Sequence, residues 1–346
     1  IMQGTPKSIQ DAASKYLASL LPVITLMSPA LRPAEGITEK SQNQYHREIL
    51  ENGMTVVIKE NLDSRVIGIH LLAKGRSLCE GEDNWGMGEV LQRILLEGGT
   101  ANHPEENLYQ SLLSIGAELK LYDNPDIPYD DYYNSARFVY MRLKVIDSFF
   151  EEGIRLLAEM VSQPLLTEDS FQIAKKNTAS LSAITASSTP KIAERIVYDN
   201  LFVTNPGLGW TLGSAKDIEA FSLENIKKFH QKLYNPSNLI LTISGNQPID
   251  KTMKTVKSCF GGTWGEAGWQ APAYKPRFKK LGKTIRQKIG KSQSYIIVAN
   301  TFEVEDNDKP ALHILSNLFS DRLAFNLREQ QGLAYSIGTY FPEFKD

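Results

Sequence analysis

The sequence predicts an α+β protein, because it combines two kinds of segment that differ in their apolar period. Short apolar or alternating segments predict strands at 45–50, 54–59, 65–73, 118–122, 132–140, 239–244 and 292–301. Apolar residues spaced by three and four predict helices at 84–97, 104–115, 143–162, 168–186, 191–202, 248–260 and 310–330. Asn52 and Gly53, between the first two strands, are typical of a tight hairpin turn.

Length and charge narrow the class of protein. At 346 residues the chain is long enough for two or three domains, and its hydrophobic content of 42% is typical of a globular protein. The formal net charge of -2 argues against a nucleic-acid binder, because such proteins usually present a basic surface to phosphates. The apolar stretch 16–30 is interrupted by Pro22 and is too short to span a membrane, although its composition also suits a signal-peptide core.

The segment 84–100 combines a helix start, a helical period and a helix stop. Asp83 or Asn84 is expected to cap the start, and Gly98 and Gly99 are expected to end the helix. One side is an apolar stripe of Met87, Val90, Leu91, Ile94 and Leu95, and the other side carries Glu89, Gln92, Arg93 and Glu97. Glu89 and Arg93 are therefore expected to form an exposed i,i+4 ion pair, which typically contributes about 0.2–0.5 kcal/mol to a helix.

This segment also resembles the signature of a peptidase family. Gly86, the apolar positions and the Gly-Thr ending are similar to G-x-x-H-x-x-E-H-x-x-x-x-G-T, the signature of the pitrilysin/insulinase family of zinc peptidases, the inverzincins with a mitochondrial processing peptidase-like fold. In that signature the two His ligate zinc and the Glu activates the metal-bound water. The positions here hold Glu89, Gln92 and Arg93. They exclude a zinc site of that design, because an amide is not a base and a guanidinium offers no lone pair.

The third zinc ligand of the family is missing as well. The resemblance places it, as a glutamate, on the predicted helix 168–186, but the only acidic residue between Glu168 and Glu194 is Asp169. We therefore expect no metal in this chain. By the resemblance, zinc belongs to a catalytic half located elsewhere.

Other segments carry the same resemblance independently. Leu50, Asn52, Gly53, Met54 and Val56 match the family's opening L-x-N-G-M-x-V, and residues 234–238 match its Y-x-P-x-N motif. Residues 320–338 read S-D-R-L-A-F-N-L-R-E-Q-Q-G-L-A-Y-S-I-G and are similar to the family's S-R-L-x-x-x-L-R-E-x-x-G-L-A-Y-x-V.

The last of these segments implies two substrate-binding residues, Arg328 and Tyr335. At these positions the family has an Arg and a Tyr that reach into the active site of the other half and donate hydrogen bonds to the substrate carbonyl. The alternative is that Arg328 only ends the long helix, near its negative pole, and that Tyr335 packs in a following strand.

The resemblance also implies a domain organisation. The expected fold has mainly antiparallel sheets with helices packed on one face, repeated as processing-peptidase-like domains. Residues 1–30 would be the C-terminal tail of a preceding domain, a helix plus a strand, and 31–44 a linker. Residues 45–272 would form a complete domain with a degenerate zinc motif, and 273–346 a linker and the first part of a following domain.

Two functions follow from these expectations. The first is the non-catalytic half of a zinc-dependent metallopeptidase that cleaves unfolded peptides, with this half completing the chamber around the substrate. The catalytic half would lie in the same protein or on a homologous partner chain. The second is a non-enzymatic scaffold or assembly subunit that keeps the peptidase fold without metal. In both cases this chain alone is expected to be inactive, because it cannot hold a metal-activated water.

Overall fold

The structure is a computed structural model that describes residues 7, 45–81, 84–104, 106–122, 135–204, 207, 211–266, 268–271, 276–279 and 282–341. The predicted tail of a preceding domain at 1–30 and the predicted linker at 31–44 lie outside the described residues, apart from residue 7. The predicted division between residues 272 and 273 stays a prediction.

Strands and helices occur in separate runs along the described chain. The strands are β1 (His46–Ile49), β2 (Thr55–Glu60), β3 (Val66–Lys74), β4 (Glu118–Lys120), β5 (Phe138–Ile146) and β6 (Leu239–Gly245). The α-helices are α1 (Arg76–Glu80), α2 (Met87–Glu97), α3 (Glu106–Ser114), α4 (Phe150–Ser162), α5 (Glu168–Ala186), α6 (Thr189–Leu201), α7 (Ala215–Glu219), α8 (Leu223–Leu233), α9 (Ile249–Phe260) and α10 (Lys309–Leu323). Among these helices none is long and apolar enough to cross a membrane.

The six strands form one sheet in the order β1-β2-β6-β3-β5-β4. All neighbouring pairs are antiparallel except β2 and β6, which run parallel. The long central strands are in register over many residues, with Leu71 opposite both Met141 and Leu241. The predicted α+β class with a mainly antiparallel sheet is confirmed.

The core lies between one face of this sheet and the helices. Strand side chains alternate between the two faces, so each central strand buries every second residue. In β3 these are Ile67, Ile69, Leu71 and Ala73, and in β5 they are Val139, Met141, Leu143 and Val145. Helices α2, α4 and α8 supply much of the apolar surface that packs in the same core, through residues such as Ile94, Leu157 and Phe229. The expectation of helices on one face is therefore confirmed.

The segment 138–162 differs from the prediction. A strand was predicted at 132–140 and a helix from 143, whereas β5 continues to Ile146 and α4 begins at Phe150. The reason is that Met141, Leu143 and Val145 alternate with Arg142 and Lys144, and this period of two outweighs helical propensity once β3 supplies a pairing partner.

The end of the chain differs too. The predicted strand 292–301 is not formed, because a strand needs a hydrogen-bonding partner and no described strand pairs with it. The predicted helix 310–330 is present as α10 and continues into a π-helical turn at Ala324–Glu329. The short helices α1 and α7 were not predicted.

Candidate functional site

The helix that resembles the zinc-binding motif, α2, begins at a glycine and not at the predicted cap. Gly86 is the N-cap, and its φ of 103° lies in the left-handed region that favours glycine. The carboxylate of Glu80 in α1 accepts a hydrogen bond from the backbone N–H of Gly88 at 2.7 Å. The prediction that Asn84 caps the helix is therefore wrong. The carboxylate of Glu80, in the neighbouring helix α1, accepts the hydrogen bond from the first turn of α2 instead. Asp83 lies outside the described residues.

Glu80 is held in place by a second buried charge. The Nε of Arg76 donates to Glu80 Oε1 at 3.1 Å, and Nη2 of Arg76 donates to the carbonyl of Thr211 at 2.5 Å. Burial raises the pKa of the Glu80 carboxyl, while Arg76 and the Gly88 N–H oppose that shift. The start of α2 is thus fixed by an ion pair inside the protein.

The polar side of α2 is buried, which corrects the predicted exposed ion pair. The exposed fractions of Glu89, Gln92 and Arg93 are 0%, 2% and 9%. The cause is that α2 contacts α4, α5 and α8 as well as the sheet, so that nearly all of its circumference is covered. An amphipathic pattern predicts a solvent-exposed face only for a helix that lies at the protein surface. Glu97, at the last turn, is exposed as expected.

Gln92 connects three elements through both ends of its amide. Its Nε2 donates to the carbonyl of Leu121, directly after β4, at 2.5 Å. The hydroxyl of Tyr234, at the end of α8, donates to Oε1 at 2.5 Å. Tyr234 is 1% exposed, and burial raises the pKa of its phenol, so that it stays a protonated donor. Gln92 is therefore a cross-link in the core.

Glu89 and Arg93 form a buried ion pair. The Nη2 of Arg93 donates to Glu89 Oε1 at 2.7 Å, and the guanidinium carbon lies 4.1 Å from the ring centroid of Tyr122. Among the described residues, Glu89 Oε2 and Arg93 Nε have no hydrogen-bond partner. Two charges removed from water stabilise each other strongly, and removing either one would leave the other uncompensated.

These side chains do not fit the zinc ion that the family implies. The guanidinium of Arg93 would lie beside any metal held by Glu89, and a cation next to a divalent metal is repelled. The buried positions of α5 include Ala174, Thr178 and Ser182, and none of its buried residues is acidic. Thr178 donates to the carbonyl of Ala174 at 2.8 Å, and Ser182 donates to the carbonyl of Gly213 at 2.6 Å. Within the described ranges, no group of three or more His, Cys, Asp or Glu could hold a metal ion.

Arg328 and Tyr335 lie together at the surface. Gly332, with a φ of 62°, turns the chain after the π-helical segment, and the Leu333 N–H donates to the carbonyl of Leu327 at 2.8 Å. The turn brings the Arg328 guanidinium to 5.8 Å from the ring centroid of Tyr335. Tyr335 is 88% exposed, and the side chain of Arg328 is 51% exposed and 3.3 Å from Glu329. Their role as substrate-binding residues stays a prediction.

Sequence reasoning missed three contributors to the α2 site, namely Arg76, Glu80 and Tyr234. Arg76 and Glu80 have i,i+4 spacing, but such a pair is usually solvated, and nothing in the local pattern signals burial. Tyr234 stands in the Y-x-P-x-N motif quoted above, yet its contact with Gln92 spans 142 residues of sequence. A local periodicity of the sequence cannot predict a contact between residues so far apart in the chain.

Comparison with known proteins agrees with this geometry. Residues 220–346 match the family profile described as "Peptidase M16 inactive domain". The chain is 21% identical to the "Non-peptidase homolog YmxG" of Helicobacter pylori over 84% of this chain and 66% of that protein. It is 25% identical to an "Uncharacterized zinc protease" of Rickettsia bellii over 86% of this chain and 70% of that protein.

The fold is also that of a solved peptidase. The crystal structure of pitrilysin is similar with a TM-score of 0.57 and 17% identity, covering 68% of this chain and 24% of that chain. This chain thus spans roughly two thirds of its curated relatives and about a quarter of pitrilysin. The match of residues 220–346 to the inactive domain and the shared fold confirm the predicted resemblance to the pitrilysin/insulinase (M16) peptidases.

Proposed function

We propose that this chain is the non-catalytic half of a zinc-dependent metallopeptidase that cleaves unfolded peptides. It completes the chamber that encloses the substrate, and it supplies Arg328 and Tyr335 to the active site of a catalytic half. That half holds the zinc and lies in the same protein or on a homologous partner chain.

The observation that carries this proposal is the buried network on α2. Activation of water requires a metal or a base that water can reach. Here the carboxylate of Glu89 is fully buried against Arg93, and both ends of the Gln92 amide are already hydrogen-bonded. The residues at the zinc-binding positions therefore stabilise the domain and leave the chemistry to the other half.

The contrast with Arg328 and Tyr335 supports a substrate-binding role for that pair. A guanidinium and a phenol both donate hydrogen bonds, and both side chains are exposed on one side of the turn at Gly332. A carbonyl oxygen gains negative charge when water attacks it, so donors that meet it there lower the barrier. Losing one donor of this kind typically costs about 2.7–4 kcal/mol of transition-state stabilisation.

Kinetics of the complete protein test the proposal. Arg328→Ala and Tyr335→Phe should each lower kcat/KM for an unfolded peptide at least about tenfold, with zinc content unchanged. Arg322→Ala and Tyr295→Phe are matched controls, because both side chains are exposed in the same part of the chain, and they should keep wild-type kinetics. Wild-type kcat/KM in both Arg328→Ala and Tyr335→Phe would contradict a substrate-binding role.

A non-enzymatic scaffold is the second candidate, and one observation favours it. Every side chain at the degenerate zinc positions has become part of the internal packing, as expected of a domain under selection for fold alone. The name "Non-peptidase homolog" of the Helicobacter pylori relative points the same way. A complex of this chain with its natural partner that hydrolyses no unfolded peptide, in the presence of zinc, would favour the scaffold.

A further inference from the structure

Three hydroxyl side chains connect α10 to the segment that follows Tyr335. Ser316 and Ser320 are four residues apart, which places them on the same face of α10. Thr339 lies four residues after Tyr335, and its hydroxyl contacts the hydroxyls of both serines. We call Ser316, Ser320 and Thr339 the hydroxyl cluster.

The hydrogen bonds of the hydroxyl cluster use the full capacity of the Thr339 hydroxyl. The backbone N–H of Thr339 donates to Ser320 Oγ at 2.8 Å, and its hydroxyl donates to the carbonyl of Ser316 at 2.7 Å. The Oγ atoms of Ser316 and Ser320 lie 3.0 and 3.1 Å from Thr339 Oγ1, and both can donate to it. A hydroxyl has one donor and two acceptor sites, so this set of bonds satisfies the Thr339 hydroxyl completely.

The hydroxyl cluster lies on the buried side of α10. Ser316 is 5% exposed and is the one buried residue of this helix, whereas Ile314, Leu318 and Phe319 are each more than half exposed. The helix therefore meets the segment after Tyr335 with hydroxyl groups, where an amphipathic helix usually presents apolar side chains. Hydrogen bonds are directional and apolar contacts are not, so the cluster fixes one position of the segment along the helix.

The chain is anchored on both sides of Tyr335. Before it, the Leu333 N–H donates to a carbonyl of the π-helical turn at 2.8 Å. After it, the hydroxyl cluster holds Thr339, and the next residue, Tyr340, is hydrogen-bonded to the hydroxyl of Tyr198 in α6. Five residues separate Leu333 from Thr339. So short a connection limits the positions that the backbone of Tyr335 can take.

We infer that Ser316, Ser320 and Thr339 are positioning residues, which hold Tyr335 where it acts together with Arg328. The inference rests on the proposed function, in which Tyr335 donates to the substrate carbonyl. Tyr335 is 88% exposed, so packing of its own side chain restrains it little. Its placement depends on the backbone that the hydroxyl cluster anchors. A displacement of about 1 Å can cost about 10²-fold in rate, which makes such anchoring important for catalysis.

A role in stability alone is the alternative for the hydroxyl cluster. Thr339 is exposed and Ser320 is only partly buried. Water can replace the hydrogen bonds of such groups, so these bonds contribute little to the free energy of unfolding. Their directional geometry is retained at the surface, and this favours a positioning role.

Kinetics of the complete protein with an unfolded peptide test the inference. Thr339→Val keeps a side chain of similar shape without the hydroxyl, and it should lower kcat/KM at least about fivefold with zinc content unchanged. Thr339→Ser keeps the hydroxyl and should stay within about twofold of the wild type. Thr284→Val is the matched control, because Thr284 is exposed in the same part of the chain, and it should keep wild-type kinetics.

A double variant separates positioning from a role in stability. If Thr339 acts through Tyr335, adding Thr339→Val to Tyr335→Phe should lower kcat/KM by less than about twofold. A role in stability alone would lower kcat/KM by the same factor with Tyr335 present or replaced. Ser320→Ala should show the same dependence on Tyr335, and it serves if Thr339→Val does not fold.

The inference is overturned if Thr339→Val keeps wild-type kinetics, or if its effect is equal with Tyr335 present and replaced. Wild-type kinetics of Tyr335→Phe would contradict the proposed function and the inference together. Lowered kcat/KM in Tyr335→Phe combined with wild-type kinetics in Thr339→Val would contradict the inference alone and leave the proposed function intact.

Discussion

The polar side chains of α2 are buried, whereas the pair Arg328 and Tyr335, which follows α10, is exposed to solvent. Glu89 and Arg93 are almost fully buried and form an ion pair at 2.7 Å. Arg328 and Tyr335 contact each other loosely, at 5.8 Å, and both are exposed. The first pair resembles a catalytic motif by its position in the sequence, whereas the second pair has the accessibility that action on another molecule requires.

This difference separates a structural role from a binding role. A buried charge must be compensated inside the protein, so its substitution damages the fold. An exposed charged side chain remains available to bind a substrate. Its substitution costs the fold little stability. The two regions should therefore respond oppositely to substitution, with stability changing at α2 and kinetics changing at Arg328 and Tyr335.

The largest effect is expected from breaking the buried pair. Arg93→Ala should lower the free energy of unfolding by about 3–5 kcal/mol, because it leaves Glu89 charged and unpaired in the core. Urea unfolding followed by circular dichroism measures this. The double variant Glu89→Leu, Arg93→Met should be close to wild type, since apolar side chains of similar size often replace a buried pair without loss. Wild-type stability of Arg93→Ala would contradict the structural role.

A smaller effect is expected from acid, through His230 beside Tyr234. Burial lowers the pKa of His230 from 6.5 to about 4, and its ring hydrogen-bonds the carbonyl of Val161 at 3.0 Å. The unfolded chain therefore binds the proton more tightly, so this contribution to stability is present above pH 6.5 and is lost as the pH falls from 6.5 to 4. The loss is about 3 kcal/mol.

Comparison of variants isolates this effect from the titration of other groups. His230→Gln should reduce the fall in unfolding free energy between pH 7 and pH 4, whereas His313→Gln, at an exposed position on α10, should leave it unchanged. Equal pH dependence of the wild type and His230→Gln, measured by urea unfolding, would show that His230 is not buried in its neutral form.

The smallest effect on stability is expected at the exposed pair. Arg328→Ala and Tyr335→Phe should each change the free energy of unfolding by less than about 0.5 kcal/mol, as is usual for exposed substitutions. Thermal and urea unfolding of both variants check this. A decrease in the free energy of unfolding above about 2 kcal/mol in either variant would show that the pair contributes to the stability of the fold. The contrast with α2 would then not hold.

The sequence was sufficient to predict the bounds of those strands and helices that depend on a local pattern of residues. Strands β1 to β3 and helix α5 lie within one or two residues of their predicted bounds, because alternation and helical spacing are patterns of neighbouring residues. The sequence was insufficient where contacts between distant residues determine the burial of a side chain or the length of a strand. The burial of Glu89 and Arg93 depends on helices far along the chain, and the extension of β5 depends on its pairing with β3.

The candidate site was predicted in the same uneven way. The identity of Glu89, Gln92 and Arg93 was enough to exclude the family's zinc site, because it depends on side-chain chemistry alone. Their actual role was not predictable, since the partners Leu121 and Tyr234 lie 29 and 142 residues from Gln92. The pairing of Arg328 with Tyr335 could be suggested by their shared motif, but their exposure could not.

The most direct test of the central claim is the zinc content of this chain after dialysis against a weak chelator. The account predicts far less than one zinc per chain, because Arg93 lies beside the carboxylate that would bind it and the buried residues of α5 are Ser, Thr, Ala and Phe, none of which has a carboxylate or an imidazole. Glu89→Ala should leave that value unchanged. One zinc per chain in the wild type that is lost in Glu89→Ala would show that α2 holds a metal after all, and it would contradict the assignment of this chain as the non-catalytic half.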